Sequence, residues 1–554
     1  MPEAPDQVET TAPFAYASCT SDQPLVYRTI GECLDEAALT YKDQEAIVNL
    51  AEGVRLTYSE LHQRASDLSR AMIGYGLQKG DRVAVWSPNS TNWILIQLAA
   101  AKTGVILVTI NPAYRAAEVN FAVTHSGARV LFCAHHFRDR DYTADFQSLR
   151  DGTTALETIV VMSEHSGPGF IGIAQFADHN TSVDISDLRR REAALASEDP
   201  INIQYTSGTT GAPKGATLTH HNMVNNAMIV GRNQNFSAQD RLCLPVPLFH
   251  CFGNVLGTLS STIYGVTMVL PGEAFEPVAT LKAIHDERCT ALYAVPMMLI
   301  ALLNHPDFEN YDLTCLRTGV SGAAPCPIEV MRDVVAKMHM NELTICYGMT
   351  ETSPISTQTK IGDDLERQCE TVGTLLPHLE CKIVDPADGR TLRRGEEGEY
   401  CVRGYSVMAG YWDNPDATAA AIDSGRWMHS GDLAVMRDDG YVQIVGRAKD
   451  IIIRGGENIQ PRDIEEFFHT LPEVEDVQVI GVPDETYGEA VCAWVKLAAG
   501  AEATTEQLRT ACKGQIATFK IPKYIHFVDS FPATASGKVQ KFRMREIMIE
   551  ELDL

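Results

Sequence analysis

Residues 82–110 read RVAVWSPNSTNWILIQLAAAKTGVILVTI. Arg82 to Trp86 has the composition of a short buried strand, a helix follows from about Thr91 to Lys102, and Val105 to Ile110 makes the next strand. Strand, helix and strand with connections this short predict a parallel sheet wrapped by helices. Gln97, Lys102 and Gly104 interrupt the apolar run from Trp93 to Ile110, so it reads as helix, turn and strand and not as a membrane span. Just upstream, Thr57-Tyr-Ser-Glu60 has the form of a capping box. Leu61, Ala65, Leu68 and Met72 then recur at helical spacing, and Gly76 can end that helix.

The chain of 554 residues is long enough for several domains, or for one large domain with an appendage. Its composition shifts near 446–460. Pro461 opens a helix with Ile464, Phe467, Phe468 and Leu471 on one face, and Val477 to Val482 and Val491 to Leu497 read as strands. The fold class is therefore α/β: a large N-terminal domain, 1–448, with parallel-rich sheets, and a small C-terminal α+β domain, 449–554. Residues 1–25 form an acidic tail on the first domain.

Acidic residues outnumber basic ones 72 to 46, a net charge of -26, which argues against a protein that coats nucleic acid or lies on anionic lipid. Fourteen scattered cysteines hold no C-x-x-C, and the Cys133, His135, His136 group fits no common metal spacing. The N-terminus has neither the positive and apolar regions of a secretion signal nor the pattern of an import signal. A reduced, cytoplasmic location is the expectation, with no stable membrane insertion.

Chemistry concentrates in Tyr205-Thr-Ser-Gly-Thr-Thr-Gly-Ala-Pro-Lys-Gly215, which follows a strand at Ile201 to Gln204. Glycines let its backbone approach a ligand, and hydroxyls with one Lys can wrap nucleotide phosphates. It is not a Walker A loop, because Lys214 sits between Pro213 and Gly215. Four other segments stand out: Tyr347-Gly-Met-Thr-Glu351, Ser430-Gly-Asp432 with Gly446-Arg447, Ser536-Gly-Lys538-Val, and Pro247-Leu-Phe-His250-Cys-Phe-Gly253. Gly319-Val-Ser321-Gly-Ala323 lacks the last glycine of a nucleophile elbow.

Together these segments resemble the AMP-forming acyl-CoA synthetases of the adenylate-forming superfamily, over nearly the whole chain from about Val26. Within the family the likeness runs to medium-chain acyl-CoA ligases of the acyl-CoA synthetase family member 2 type, on Asn111-Pro-Ala-Tyr114, Pro200-Ile-Asn-Ile-Gln and Arg454-Gly-Gly-Glu-Asn458. The resemblance implies roles residue by residue. Thr206, Ser207, Gly208, Thr209, Thr210, Gly211 and Lys214 hold the ATP phosphates, helped by Thr350. Glu351 holds Mg²⁺, one carboxylate with phosphates being typical of that ion. Gly322, Ala323 and Ala324 lie on the adenine side, where Tyr347 stacks beside Gly348. Asp432 accepts the ribose hydroxyls and Arg447 assists. Lys538 is the catalytic lysine, with Thr206, Glu351 and His250 as further catalytic positions. Lys449 is the hinge of a mobile C-terminal domain.

The resemblance puts His250 at the wall of the acyl site, and Phe252, Val255, Tyr293, Val295 and Met297 are candidates either for that apolar wall or for the core. No Asp follows it closely, a departure from amino-acid-activating relatives that favours a plain carboxylic acid. Gly455, Gly456, Glu457 and Tyr487, with Phe519 and Lys520 nearby, serve coenzyme A. The implied protein is an ATP-dependent ligase that forms acyl-AMP and transfers the acyl group to coenzyme A. A fatty acyl-AMP ligase loading a carrier protein is the alternative, and a homodimer fits the family's habit. Because Lys214, Glu351, Asp432, Arg447 and Lys538 are all present, a degenerate scaffold is the weaker reading.

Overall fold

The structure is a computed structural model that describes residues 7–10, 14–152, 155–163, 166–206, 213–324, 326–447, 450–454, 457–484, 486–513, 515–533 and 539–554, with backbone alone at 7–10, 447 and 457–458. Two compact units emerge: Ala17–Cys381 with Val402–Met428, and Lys382–Cys401 with His429–Leu554. This division differs from the composition boundary at 448/449, because the strands Glu397–Gly404 and Met428–Met436 run through the dividing points.

In the first unit, β1 (Glu45–Asn49) and β2 (Val54–Thr57) lead into α1 (Tyr58–Gly74). Both bonds of the Thr57/Glu60 capping box are made. β3 (Arg82–Trp86), α2 (Thr91–Thr103) and β4 (Ile106–Ile110) follow within one residue of the sequence reading. β3 and β4 pair in parallel from Arg82↔Ile106 to Trp86↔Ile110. Gly104, with φ 72, takes the left-handed conformation that ends α2. Every residue of α2 except Asn92 is buried, which explains an apolar pattern without a polar face. The buried Lys102 is neutralised by Asp35 at 2.5 Å and Glu192 at 2.6 Å. Burial alone raises the Asp35 carboxyl, but hydrogen bonds from His62 and Lys102 more than reverse this and hold it well below the carboxylate range.

β5 (Val130–Cys133), β6 (Thr158–Val161), β7 (Ile171–Gly172), β8 (Pro200–Thr206) and β9 (Lys214–Thr219) complete the first sheet, in the order β7-β6-β5-β3-β4-β8-β9 and then Gly410–Tyr411. It is parallel as far as β8, after which β9 turns back antiparallel. The second sheet adds β10 (Arg241–Cys243), β11 (Thr267–Leu270), β12 (Ala291–Ala294), β13 (Thr318–Ser321), β14 (Glu342–Gly348), β15 (Ile355–Gln358) and β16 (Thr374–Leu375). Its order is β16-β15-β14-β13-β12-β10-β11-β1-β2, parallel from β14 to β1. Part of the acidic N-terminal stretch is sheet, since Gln7–Thr10 pairs antiparallel with the strand Tyr16–Thr20.

The second unit contains β17 (Glu397–Gly404) and β18 (Met428–Met436) as far as they fall within it, then β19 (Val442–Arg447), β20 (Ile452–Arg454) and α3 (Pro461–His469). β21 (Val474–Asp484) and β22 (Gly488–Leu497) form an antiparallel hairpin, with β23 (Tyr524–Phe527) parallel to β22 and α4 (Lys541–Leu552) closing the chain. Alternate residues of the hairpin face opposite ways. Val477, Val479 and Val491 pack with Ile464 and Phe468 of α3, while Ile480, Val482 and Trp494 pack with Met544 and Met548 of α4. Phe467 and Leu471 lie at the edge of the α3 cluster.

No disulfide joins the fourteen cysteines, twelve of which are buried. Among the described residues, no helix is long and apolar enough to cross a membrane.

Candidate active site

Parallel strands present their carboxyl ends together, which is where ligands gather in α/β sheets. Thr206 is the last residue of β8 and stands opposite Lys214, the first of β9. Gly348 ends β14, and a Cβ there would meet the Pro354 carbonyl oxygen at 1.8 Å, so only glycine lets the chain turn. That turn delivers Glu351, which is buried. Thr206 Oγ1 lies 3.5 Å from Glu351 Oε1, and Tyr411 donates its phenol hydrogen to the same oxygen at 2.8 Å. The Met408 N–H donates to the Glu351 carbonyl at 2.9 Å, tying the segment that carries Tyr411 to this turn. Lys214 Nζ stands 5.2 Å from the centre of the Tyr411 ring. Burial first, and then the Glu351 charge and hydrogen bond, push the Tyr411 phenol far above its usual range and keep it a donor. An ammonium, a hydroxyl and a buried carboxylate thus converge where a cation and an anionic ligand can be bound together.

Gly322, Ala323 and Ala324 leave β13, and Tyr347 lies near the end of its parallel neighbour β14, with Ser321 opposite Ile345. Ala323 and Ala324 are exposed, Gly322 is buried, and Thr350 and Tyr347 are half-buried.

The segment 247–254 is fixed from below. Asn254, fully buried, donates to the Leu248 carbonyl at 2.9 Å and accepts from Gln204 of β8 at 3.3 Å. Gln204 also accepts from the Cys251 thiol at 3.0 Å. Burial, reinforced by the Glu351 charge, raises that thiol to about 12, so it stays protonated. His250 is half-buried with its ring 4.5 Å from Phe249. From Phe252 to Leu259 the backbone forms a π-helix, a form that gathers at functional sites. Phe252 stacks on the buried Tyr293 at 5.5 Å, Val255 is buried, Val295 is half-buried and Met297 is exposed. Val255 and Tyr293 are thus core, and Phe252 is the half-buried aromatic that follows His250.

In the second unit Asp432 is buried on β18, opposite Arg447 of β19, and its N–H donates to Ser430 Oγ at 3.1 Å. Tyr487 is exposed, with the Arg454 guanidinium 4.7 Å above its ring. Arg454 also donates to the Phe519 carbonyl at 3.1 Å, and Lys520 pairs with Asp463 at 2.5 Å. Ser207, Gly208, Thr209, Thr210, Gly211, Lys449, Gly455, Gly456 and Lys538 lie outside the described residues, as do the side chains of Arg447 and Glu457.

Sequence reading missed Tyr411, Asn254 and Gln204. Tyr411 is 60 residues from Glu351, and no spacing rule links them. Asn254 follows a quoted motif by one residue, but its bonds exist only once β8 lies beside it.

Comparison with known proteins identifies the family. The model of the "AMP-binding enzyme" family matches residues 34–412, and that of the "AMP-binding enzyme C-terminal domain" matches 463–538. A chain from Bacillus subtilis (strain 168), YngI, is 43% identical over 543 residues, covering 96% of this chain and 99% of its own. The "Medium-chain acyl-CoA ligase ACSF2, mitochondrial" of Bos taurus is 41% identical over 559 residues, covering 98% and 91%. Among solved structures, ATP-bound MatB from Rhodopseudomonas palustris superposes with a TM-score of 0.81 at 29% identity, covering 94% of this chain and 99% of that one. The anthranilate CoA ligase AuaEII in complex with anthranoyl-AMP gives a TM-score of 0.84 at 25% identity, covering 96% and 99%. The chain belongs to the AMP-binding enzymes, as a two-domain AMP-forming acyl-CoA synthetase of the adenylate-forming superfamily.

Proposed function

We propose that this ligase activates a medium-chain fatty acid as its acyl adenylate and passes the acyl group to coenzyme A. The observation that carries the reading is Glu351, bonded to Thr206 and Tyr411 with Lys214 beside them. A carboxylate oxygen of the acid attacks the α-phosphorus of ATP, and pyrophosphate leaves. Thr206, Lys214 and the 207–211 loop take up the charge of the leaving group. The donor set of one carboxylate and one hydroxyl suits Mg²⁺, which draws its other ligands from phosphates and water. Bound by Glu351, the ion would supply further charge neutralisation at the phosphates. Asp432, a buried carboxylate, suits a vicinal diol and is assigned to the ribose, with Arg447 assisting. Tyr347 and residues 322–324 take the adenine. Lys538 stabilises charge at the α-phosphate during displacement.

The C-terminal domain, 449–554, then turns about Lys449, and Gly455, Gly456 and Glu457 line the path of the thiol. The thiol sulfur attacks the acyl carbonyl and AMP leaves. Support for coenzyme A over a carrier protein comes from Tyr487 with Arg454 above it, an exposed ring and cation suited to a nucleotide. Support for a medium chain comes from the ACSF2 relatives and from the apolar Phe252, half-buried and stacked on Tyr293 just after His250. We place the enzyme in the cytoplasm as a homodimer; the "mitochondrial" designation of those relatives names the rival compartment, and cell fractionation with sedimentation decides both points.

Pyrophosphate release across a panel of carboxylic acids, with and without coenzyme A, tests the reading. Turnover with medium-chain acids that requires coenzyme A is the expected result. A single-turnover burst that coenzyme A leaves unchanged would assign the acceptor to a carrier protein. Preference for short or aryl acids would overturn the chain-length assignment.

A further inference from the structure

We infer that Glu399, Cys401 and His429 form a binding site for a borderline-soft divalent cation of the zinc class, distinct from the hard-cation position at Glu351. Glu399 and Cys401 are two residues apart on β17 and so share a face of the sheet. His429 belongs to β18. The three ligand atoms lie within 4.8 Å of one another. His429 Nδ1 is 3.5 Å from Cys401 Sγ and 2.8 Å from Glu399 Oε2. A tetrahedral zinc centre needs S···N near about 3.5 Å and N···O near about 3.4 Å, from its ordinary bond lengths. The sulfur and nitrogen already stand at that spacing, and the carboxylate oxygen has only to withdraw by about half an ångström.

The surroundings suit coordination. Glu399 Oε1 accepts the Gly431 N–H at 3.0 Å, which orients the carboxylate and leaves Oε2 toward the histidine. Cys401 is fully buried, whereas the side chains of Glu399 and His429 are 17% and 30% exposed, so an ion and a fourth, water ligand can enter from their side. Thiolate, carboxylate and neutral imidazole cancel the charge of a dication, so the half-buried centre carries no net charge. Coordination replaces the S–H bond by an S–metal bond, the thiol proton going to solvent, and frees Nδ1 as a ligand by moving the hydrogen of the neutral imidazole from Nδ1 to Nε2. The thiolate selects against Mg²⁺ and Ca²⁺.

The test is a Co²⁺ titration of the chelator-stripped full-length protein, followed by absorbance. One equivalent should bind saturably, with a sulfur-to-cobalt charge-transfer band in the near ultraviolet, tetrahedral bands in the visible, release of about one proton per ion and displacement by Zn²⁺. Cys401→Ser should lose the charge-transfer band, and Glu399→Gln should weaken binding by about tenfold or more, each with an unchanged circular dichroism spectrum. Absence of a saturable band, or its persistence in Cys401→Ser, would overturn the site. If Cys401→Ser fails to fold, Glu399→Gln decides alone, and wild-type affinity in that variant would show that the trio is only a His–Glu ion pair beside a buried thiol.

Discussion

The two units keep their polar groups in different places. In the first, charge and amide groups lie inside: Lys102 between Asp35 and Glu192, Asn254 against Gln204, Glu351 beneath Tyr411. In the second, the hairpin β21–β22 buries Val, Ile and Trp on both faces, and Asp432 and Asp484, the latter paired with Lys523, are carboxylates held inside. Stability and chemistry therefore rest on shared groups in the first unit, whereas the second can lose a reactive side chain without losing core.

The largest effect should separate these roles. Lys538→Ala should lower adenylation by about 10³-fold, as loss of a transition-state charge partner does, with an unchanged melting temperature. Thioester formation from a supplied acyl adenylate should survive, and undiminished pyrophosphate release would refute the lysine's role. Lys102→Met should show the reverse pattern. It takes the buried cation from two carboxylates that keep the exposed Arg189 and, at Asp35, His62, and about 3 kcal/mol should vanish from urea unfolding; a loss below about 1 kcal/mol would break the comparison. Glu351→Gln should combine both, with adenylation down about 10²-fold, a raised Mg²⁺ requirement and a lower melting temperature. Activity lost at unchanged stability would place Glu351 with the second unit's pattern.

The smallest effect is a pH dependence in His220. Burial, opposed weakly by Asp199, lowers its imidazole from 6.5 to about 3, and its Nδ1 accepts the Ile30 N–H at 3.1 Å. Between these values the unfolded chain binds a proton that the native protein refuses. Stability is therefore unaffected above pH 6.5 and falls as the pH drops below it, by about 1.4 kcal/mol per unit. His220→Gln should flatten that acid limb in denaturant titrations from pH 7 to pH 5.5. An identical limb in both proteins would remove His220 from the account.

What could be read in the sequence was local. The β3–α2–β4 unit needs only periodicity, one glycine and a short connection, and it fell within a residue of the reading. The hairpin clusters follow from alternation. Thr206 and Lys214 were legible because one loop joins them. Tyr411 was not, because its link to Glu351 is made by sheet order and a backbone bond from Met408. Glu399, Cys401 and His429 escaped for a related reason: metal motifs are recognised by spacing along the chain, whereas here the spacing runs across two strands. The unit boundary moved because composition marks where a chain changes character, and compactness follows which strands pair.

The cysteines give the two units a clock. Eleven lie in the first unit, and three, Cys401, Cys492 and Cys512, in the second. Burial raises thiols such as Cys346 to about 12, so an alkylating reagent at neutral pH meets almost no thiolate until the chain opens. With the half-buried Cys315 and Cys369 reacting first, timed alkylation read by intact mass should thus resolve a step of three from a step of nine, and the order of those steps would tell which unit unfolds first, without any introduced label.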